Sequence, residues 1–526
     1  MDIIEKEKKK RTILYGLLVT VLVLIGVTYA YYRITKTQTN SNVIGTRTCL
    51  NTTLTEETSE IVLSDAFPIS DEDGLKQSPF TFTLTNNCDS YVKVTIALVS
   101  EYRTSTNTAY LKDNYVKSNL STKGINDGSS VILSTLSLEE VDTNTEGYIL
   151  KTTGLKNKEA KSFDLRLWLD SETTNEQGLN KTWKGKIVVS VVAAEYVPTF
   201  SETILANNKV KTPITTPGAA VSTADEALLA SAEDDYGTSY YFRGAVTNNY
   251  VEFANKCWRI VRVGGDGSVK LILHNDNTAK AANPCASANN STSAAFARYS
   301  GSAYISSFNS NYDDNAYVGF KYGTVGASDY AATHANTNKS TILTKLETWY
   351  TNNLAAYESV IDDNVWCNDK TNVTDTSYNP WNCSNVNGLG YAKNATYYGA
   401  SQRLVSTINR AGGTGPSLKC NGELSKITSK IGLITADELA FAGYAFRTGN
   451  PTIYLQENAT DIWWWSLSPG GFNGSNASVK YVDGSSGGFG GFNVSWTGGV
   501  RPSISLKSTT NATGNGTSDS PFIISM

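Results

Sequence analysis

The feature that most constrains this chain is an uncharged, apolar run from Ile13 to Tyr32 that directly follows a basic start. In helical form such a run is about 30 Å long, which matches the hydrocarbon core of a bilayer. Lys and Arg residues placed before a span stay on the cytoplasmic side. We therefore predict a single-pass cell-membrane protein, with residues 1–12 as a cytoplasmic basic tail, residues 13–32 as a transmembrane helix and the bulk of the chain extracellular.

A cleaved signal peptide is the alternative interpretation of the same run. The sequence Thr28-Tyr29-Ala30 places small residues at the two positions that a signal-peptidase site requires. Under either interpretation the rest of the chain is exported. Export is therefore predicted whether or not the segment is removed.

The composition predicts a mainly β protein with several domains. A chain of 526 residues exceeds one compact domain. Charged residues make up only 18% of the chain, while Gly, Ser, Thr, Asn and aromatic residues are abundant, as in β-rich folds with many turns. The net charge of −4, with no long basic stretch beyond the start, argues against nucleic acid as a partner.

The seven cysteines indicate disulfides and one odd thiol, because an exported chain meets an oxidising environment. Zinc sites of the common structural type use closely spaced pairs such as CxxC, and the sequence contains none. We predict bridges between Cys49 and Cys88 and between Cys367 and Cys420. Five cysteines in the second half permit other connectivities there.

Residues 41–197 alternate apolar and polar side chains with the period of a β-strand. Phe80–Leu84 and Val92–Leu98 flank a turn-rich cluster, which predicts a hairpin. Phe163–Leu169 and Ile187–Ala193 predict two further strands. Several such strands in a row indicate an antiparallel β-sandwich.

Three segments carry a resemblance to a known family: Gly26–Tyr32, Phe80–Asn87 and Leu165–Asp170. They resemble the exported TasA and camelysin family, which are β-sandwich proteins of Gram-positive bacteria, some of which build biofilm fibres. The resemblance covers the first part of the chain only. It implies a sandwich over residues 41–197 and self-assembly as a possible partner interaction. The chain departs from the family in its long charged amino terminus and its large second part.

The second part of the chain predicts an α+β domain. Residues 198–236 are rich in Thr, Ala, Pro and acidic residues, which favours a linker with a short helix over 224–232. Within residues 237–510, a glycine-rich hairpin turn at 264–267, a helical period over 343–361 and a capping box at 435–438 indicate both strands and helices. Residues 511–526 are predicted to form a C-terminal strand or tail.

A second resemblance rests on five segments: Val365–Asp369, Gly432–Glu438, Trp463–Pro469, Asn476–Val479 and Gly499–Leu506. They resemble an uncharacterised domain of Firmicutes surface proteins. The closing pattern also resembles the C-type-lectin-like fold that formylglycine-generating enzymes share with ligand-displaying proteins. This implies a C-type-lectin-like head. The enzyme activity is not implied, because the surroundings of Cys383 and Cys420 do not match, and fold does not fix function.

Candidates for catalysis are few. His274 and His334 stand in polar stretches without acidic or cysteine neighbours at ligand spacing, which predicts surface loops rather than general bases. The pairs Asp313-Asp314 and Asp362-Asp363 are predicted to be solvated charges, because adjacent side chains on an extended segment point in opposite directions. The sequence predicts no catalytic residue, cofactor or metal. A lectin-type calcium site is possible, but no pattern supports it.

The aromatic, glycine-rich end of the chain is the better candidate. Five ligand-binding residues are predicted there: Phe472, Tyr481, Phe489, Phe492 and Trp496. Aromatic faces among amide and hydroxyl side chains suit stacking on sugars or contact with a protein. The glycines around Phe489 and Phe492 predict a loop, although a core position stays open for both rings. A core position is favoured for Trp463 and Trp465, and a structural role for Arg501.

The sequence as a whole predicts a membrane-anchored bacterial cell-surface protein for recognition or adhesion. Its head would bind an extracellular glycan or protein ligand. A structural fibre or biofilm-matrix component assembled through the sandwich is the alternative. An extracellular glycan-acting enzyme is the third hypothesis.

Overall fold

The computed structural model describes residues 34–37, 50–56, 61–64, 66–126, 128–221, 223–290, 302–408, 412–449, 452–457, 463–484 and 486–525. The chain divides into two compact units, Met1–Val197 and Pro198–Met526. The predicted transmembrane segment at 13–32 lies outside the described residues. Among the residues that are described, no helix is long and apolar enough to cross a bilayer.

The N-terminal unit is built almost entirely from strands. They are β1 (Ile34–Thr37), β2 (Thr52–Glu56), β3 (Ile61–Ser64), β4 (Pro68–Ile69), β5 (Phe80–Asn86), β6 (Val92–Ser100), β7 (Val116–Thr122), β8 (Val131–Ile132), β9 (Leu138–Asp142), β10 (Thr145–Leu155), β11 (Ala160–Asp170) and β12 (Thr182–Ala193). Two single-turn helices, α1 (Asp71–Gly74) and α2 (Asn175–Gly178), lie in connections. Short 3-10 helices cover Asp113–Tyr115 and Leu133–Thr135.

These strands form two six-stranded sheets. One has the order β1-β12-β6-β10-β9, with β3 also paired to β12, and the other has the order β2-β5-β11-β7-β8, with β4 also paired to β11. Alternate side chains of both sheets, such as Phe82 and Phe163 of one and Ile96 and Val189 of the other, share one core. Period-two alternation puts one face of each sheet inward, which is the predicted antiparallel sandwich.

The predicted hairpin of β5 and β6 is wrong, because the two strands belong to different sheets. The buried side-chain amide of Asn86 explains the crossing. It donates to the backbone carbonyls of Ser90 and Lys156 at 2.7 and 2.8 Å. The chain is thereby held across the edge of the core, and the apolar faces of the two strands face each other instead of lying side by side.

The C-terminal unit combines sheets with short helices. Its strands are β13 (Ala227–Asp234), β14 (Gly237–Gly244), β15 (Tyr250–Phe253), β16 (Lys256–Val263), β17 (Val269–Asn275), β18 (Ile305–Ser306), β19 (Lys321–Tyr322), β20 (Asn338–Lys339), β21 (Asn364–Cys367), β22 (Thr396–Tyr397), β23 (Lys426–Ser429), β24 (Trp464–Phe472), β25 (Ala477–Val482), β26 (Phe489–Asn493), β27 (Gly498–Gly499), β28 (Ser503–Leu506), β29 (Ala512–Thr513) and β30 (Phe522–Ile524). Its helices are α3 (Phe200–Asn207), α4 (Tyr330–Thr333), α5 (Thr341–Asn353), α6 (Gly399–Leu404) and α7 (Ala436–Ala442).

Two larger sheets organise this unit. An eight-stranded sheet has the order β13-β14-β16-β15-β30-β29, with β17 joining β16 to β28. A six-stranded sheet has the order β18-β27-β24-β25-β26, with β22 on β24. The predicted hairpin at 264–267 joins β16 to β17, and Thr435 and Glu438 form the predicted capping box of α7. The predicted helical period is realised as α5, which ends at Asn353.

The linker predicted at residues 198–236 is wrong. Helix α3 begins behind a capping box formed by Thr199 and Glu202, and its Phe200 and Ile204 lie buried in the main core of the unit. The helix predicted over 224–232 is largely the strand β13. Residues 511–526 contribute β29 and β30, and Phe522 is fully buried. The prediction followed the Thr- and Pro-rich composition and overlooked Phe200 and Ile204. Apolar side chains at this i, i+4 spacing are typical of a helix that packs on a core.

Disulfides tie the C-terminal unit together. The predicted bridge between Cys367 and Cys420 is confirmed, and a second bridge joins Cys257 to Cys285. Cys383 is a free thiol. Cys49 lies outside the described residues, so its pairing with Cys88 stays a prediction.

Candidate functional site

The candidate site is built on β24, β25 and β26 of the six-stranded sheet. Trp465 is paired with Tyr481, and Lys480 with Gly491, across these strands. Because successive side chains of a strand point to opposite faces, Tyr481 and Lys480 face opposite sides of the sheet. The two sides of the sheet therefore present different side chains.

One face presents four aromatic rings, Trp463, Tyr481, Phe492 and Trp496, which we call the aromatic patch. Phe492 is at its centre, with ring centroids 5.0 Å from Trp463, 5.2 Å from Tyr481 and 5.0 Å from Trp496. Most contacts are edge-to-face, the arrangement that aromatic quadrupoles favour. Trp496 is 58% exposed, and the other three rings are partly buried. The patch is thus an ordered aromatic surface with one projecting tryptophan.

Glycines make room for these rings. A Cβ atom at Gly498 would lie 2.2 Å from the ring of Trp463, and one at Gly490 would lie 2.9 Å from the ring of Tyr481. Such distances are well inside van der Waals contact. The glycine-rich composition of this segment therefore serves ring packing.

A polar cleft of about 260 Å³ adjoins the patch at Tyr481. Arg447, Asp483 and Ser486 are among the residues that line it. Charged and hydroxyl groups of this kind donate to and accept from hydroxyl groups of a ligand. The aromatic patch and the cleft together offer stacking surfaces beside hydrogen-bonding groups.

Three of the five predicted ligand-binding residues lie in the patch: Tyr481, Phe492 and Trp496. Phe489 and Phe472 do not, because each is only 2% exposed, although Phe489 contributes to the wall of the polar cleft. The predicted loop is also wrong, since β26 runs from Phe489 to Asn493 and pairs with β25. This strand is at the sheet edge, where glycines cost least. Trp465 is buried as predicted, whereas Trp463 is only partly buried.

A buried ionic network lies elsewhere in the unit. Glu438 accepts from Arg262 and Lys270 at 2.9 and 2.6 Å, and Arg403 donates to both Asp437 and Asp369. Although burial opposes it, the charges of Lys270 and Arg262 lower the pKa of Glu438 to about 2. Each of these buried charges has an opposite partner, so the network is structural.

Both histidines are buried, so their predicted surface positions are wrong. His334 donates through Nε2 to the carbonyl of Gly390 at 2.8 Å, and His274 contacts the side chain of Asn290. Burial and the nearby Lys370 lower the pKa of His334 to about 3. Burial, Arg259 and Arg501 lower the pKa of His274 well below its ordinary range. Both rings are therefore neutral at pH 7.

This burial predicts acid destabilisation of the C-terminal unit. Each histidine titrates near pH 6.5 in the unfolded chain and at lower pH in the folded one, so stability is complete above pH 6.5 and is lost as pH falls toward 3. We expect the titration of His334 alone to lower the free energy of unfolding by on the order of 3 kcal/mol between pH 7 and 4, and the titration of His274 to add to this loss. Denaturant unfolding measures this loss. Histidine ring resonances that titrate near pH 6.5 in the folded protein would contradict it.

The two carboxylates of the Asp313-Asp314 pair are not both solvated, although the sequence predicted that they would be. Asp313 is exposed, but Asp314 is buried and its side chain accepts from the backbone N–H of Ala316 at 2.9 Å. The described residues contain no group of three His, Cys, Asp or Glu side chains arranged for a metal.

Arg501 has the predicted structural role, since it donates to the carbonyls of Leu273 and Leu455 at 2.8 and 2.9 Å.

Comparison of the sequence with protein-family models and with curated proteins found no match.

Proposed function

We propose that this chain is a membrane-anchored bacterial cell-surface protein that recognises glycans through the aromatic patch. The observation that carries the proposal is Trp496, a large apolar ring that projects 58% into solvent and is held at its base by Phe492. Exposing such a ring to water costs free energy unless a ligand covers it. The cleft beside Tyr481 supplies polar groups for sugar hydroxyls. In this proposal residues 13–32 anchor the protein, and the C-terminal unit is a C-type-lectin-like head.

The TasA-like resemblance supports a sandwich that carries this head. A fibre built through the sandwich is the second candidate function, because a sheet edge can pair with another copy. Strand β9 is one sheet edge and presents Glu139, Glu140 and Asp142. Like charges of this kind oppose pairing between copies. We therefore favour recognition over assembly through this edge, and binding over catalysis.

Binding of the purified full chain to a glycan array tests the proposal. We expect retention of at least one glycan class at micromolar to millimolar concentration. If the chain binds no glycan but is retained by purified proteins of a bacterial or host surface, the ligand is a protein instead. Polymers whose amount rises with protein concentration, with no glycan retained, would favour the fibre component.

A further inference from the structure

The opposite face of the same strands contains a second feature, a cavity of about 380 Å³. Its walls include the aromatic residues Trp381, Tyr397, Phe446 and Phe472. This volume lies within the range of sites for small molecules. The side chain of Lys480 also lines the cavity.

Lys480 is almost completely buried, at 1% exposure. Its Nζ atom lies 5.3 Å from the ring centroids of both Trp381 and Phe446. Among the described residues, no carboxylate lies within salt-bridge distance of Nζ, and none accepts a hydrogen bond from it. The two ring faces attract the cation but satisfy none of its N–H donors.

Other buried cations of this unit differ from Lys480. Arg243 is paired with Glu226 at 2.7 Å, and Lys270 with Glu438 at 2.6 Å. Lys370 has no acidic partner within the described part of the chain but donates to three oxygens, of Lys321, His334 and Asn336. An unpaired ammonium in an apolar wall is costly, and an anion entering the cavity would offset that cost.

Gly491 leaves space for such an anion. It is directly opposite Lys480 in the β25–β26 pair, and a Cβ atom at this position would meet no atom within 4 Å. Side chains of directly opposite residues share one face of a sheet. The missing side chain thus opens the region above the lysine.

From this arrangement we infer that the cavity is a second binding site, which takes a carboxylate on a ring-sized body, with Lys480 as its ionic contact. Aromatic walls would pack against the ring while the ammonium pairs with the carboxylate. An acidic sugar and a free aromatic acid share this chemistry. Lys480 is on the face opposite Tyr481, although Phe492 lines both the cavity and the aromatic patch, and Arg447 and Gly491 line both the cavity and the polar cleft. The Lys480 variants therefore test this site apart from the proposed glycan recognition.

Binding of benzoate to the purified full chain tests this site, with benzyl alcohol as the neutral counterpart. Glucuronate and glucose form the matching sugar pair. Alkylation of Cys383 by iodoacetamide, followed by peptide mass spectrometry, gives a local readout because this thiol lines the cavity. At a ligand concentration ten times Kd, we expect alkylation to slow by about tenfold. Greater affinity for glucuronate would assign an acidic sugar, and greater affinity for benzoate a free aromatic acid.

Three variants locate the contact. Lys480→Met should remove the preference for the acid over its neutral counterpart, and Lys480→Arg should retain it. Gly491→Ile retains the lysine but fills the space opposite it, so the affinity for both acids should fall at least tenfold. Equal affinity for acid and neutral compound in the wild type would overturn the inference, as would unchanged benzoate affinity in Lys480→Met.

The pH dependence gives an independent signature. Burial, together with Arg447 and against the charge of Asp437, lowers the pKa of Lys480 to about 7. Affinity for benzoate should therefore weaken about tenfold between pH 6 and 8 as the ammonium loses its proton. Cys383, Tyr397 and Arg447 also line the cavity. Lys480→Arg shows how much these other groups contribute to the pH dependence of benzoate affinity, because arginine stays charged between pH 6 and 8. A wild-type affinity that does not change with pH would contradict the role of Lys480.

Discussion

Replacement of Glu438 by Ala is expected to lower the free energy of unfolding of the C-terminal unit by about 3–5 kcal/mol. The carboxylate accepts from Arg262 and Lys270, and its second oxygen accepts from the backbone N–H of Thr435 at 2.9 Å. Its removal leaves Lys270 buried without its partner and deletes half of the capping box of α7. Denaturant unfolding followed by tryptophan fluorescence measures the change.

An exposed ion pair provides the matched control. Glu423 contacts Lys426 at 2.8 Å, but its side chain is 87% exposed. Glu423→Ala should change stability by less than about 0.5 kcal/mol, because solvent screens such pairs. Equal effects of the two substitutions would show that burial does not determine the contribution of Glu438.

Replacement of Phe489 by Ala is expected to cost about 3–5 kcal/mol, the usual result of removing a buried phenylalanine. The ring is 2% exposed and packs edge-to-face on Phe446, with centroids 6.0 Å apart. A cavity would remain in the core of the C-terminal unit. Thermal and denaturant unfolding both report the loss.

Trp496→Ala is the comparison for this substitution. Trp496 is an aromatic residue a few positions away, but it is 58% exposed, and its removal should cost less than about 1 kcal/mol. If Phe489→Ala leaves the free energy of unfolding unchanged, Phe489 is not a core residue. That result would support the loop predicted from its glycine neighbours.

The fold could be predicted from the sequence where a local pattern is compatible with only one secondary structure. Alternation in residues 163–169 and 187–193 predicted strands, and Thr435 with Glu438 predicted a capped helix. Pairing could not be predicted in the same way. The alternation of apolar and polar side chains in Phe80–Leu84 and Val92–Leu98 fits a hairpin and two facing sheets equally well. Which of the two arrangements forms depends on the buried Asn86, which contacts residues distant in sequence.

The candidate site was predicted in part for a similar reason. Aromatic residues near glycines indicated a functional surface, but period two alone does not say which face of β26 is buried. Phe489 and Phe492 are three residues apart and therefore point to opposite faces. The buried ion pairs were missed because their partners are distant in sequence: 168 residues separate Lys270 from Glu438. The unpaired Lys480 has no sequence signal at all.

The most direct test of glycan recognition is the affinity of Trp496→Ala for a glycan that the wild type retains. Tyr312→Ala is the control, since Tyr312 is 44% exposed in the same unit but lies outside the aromatic patch. Isothermal titration of the full chain should show at least a tenfold loss of affinity for Trp496→Ala, or about 1.4 kcal/mol, and no change for Tyr312→Ala. Equal affinity of Trp496→Ala and the wild type would contradict the proposal that the aromatic patch binds the glycan.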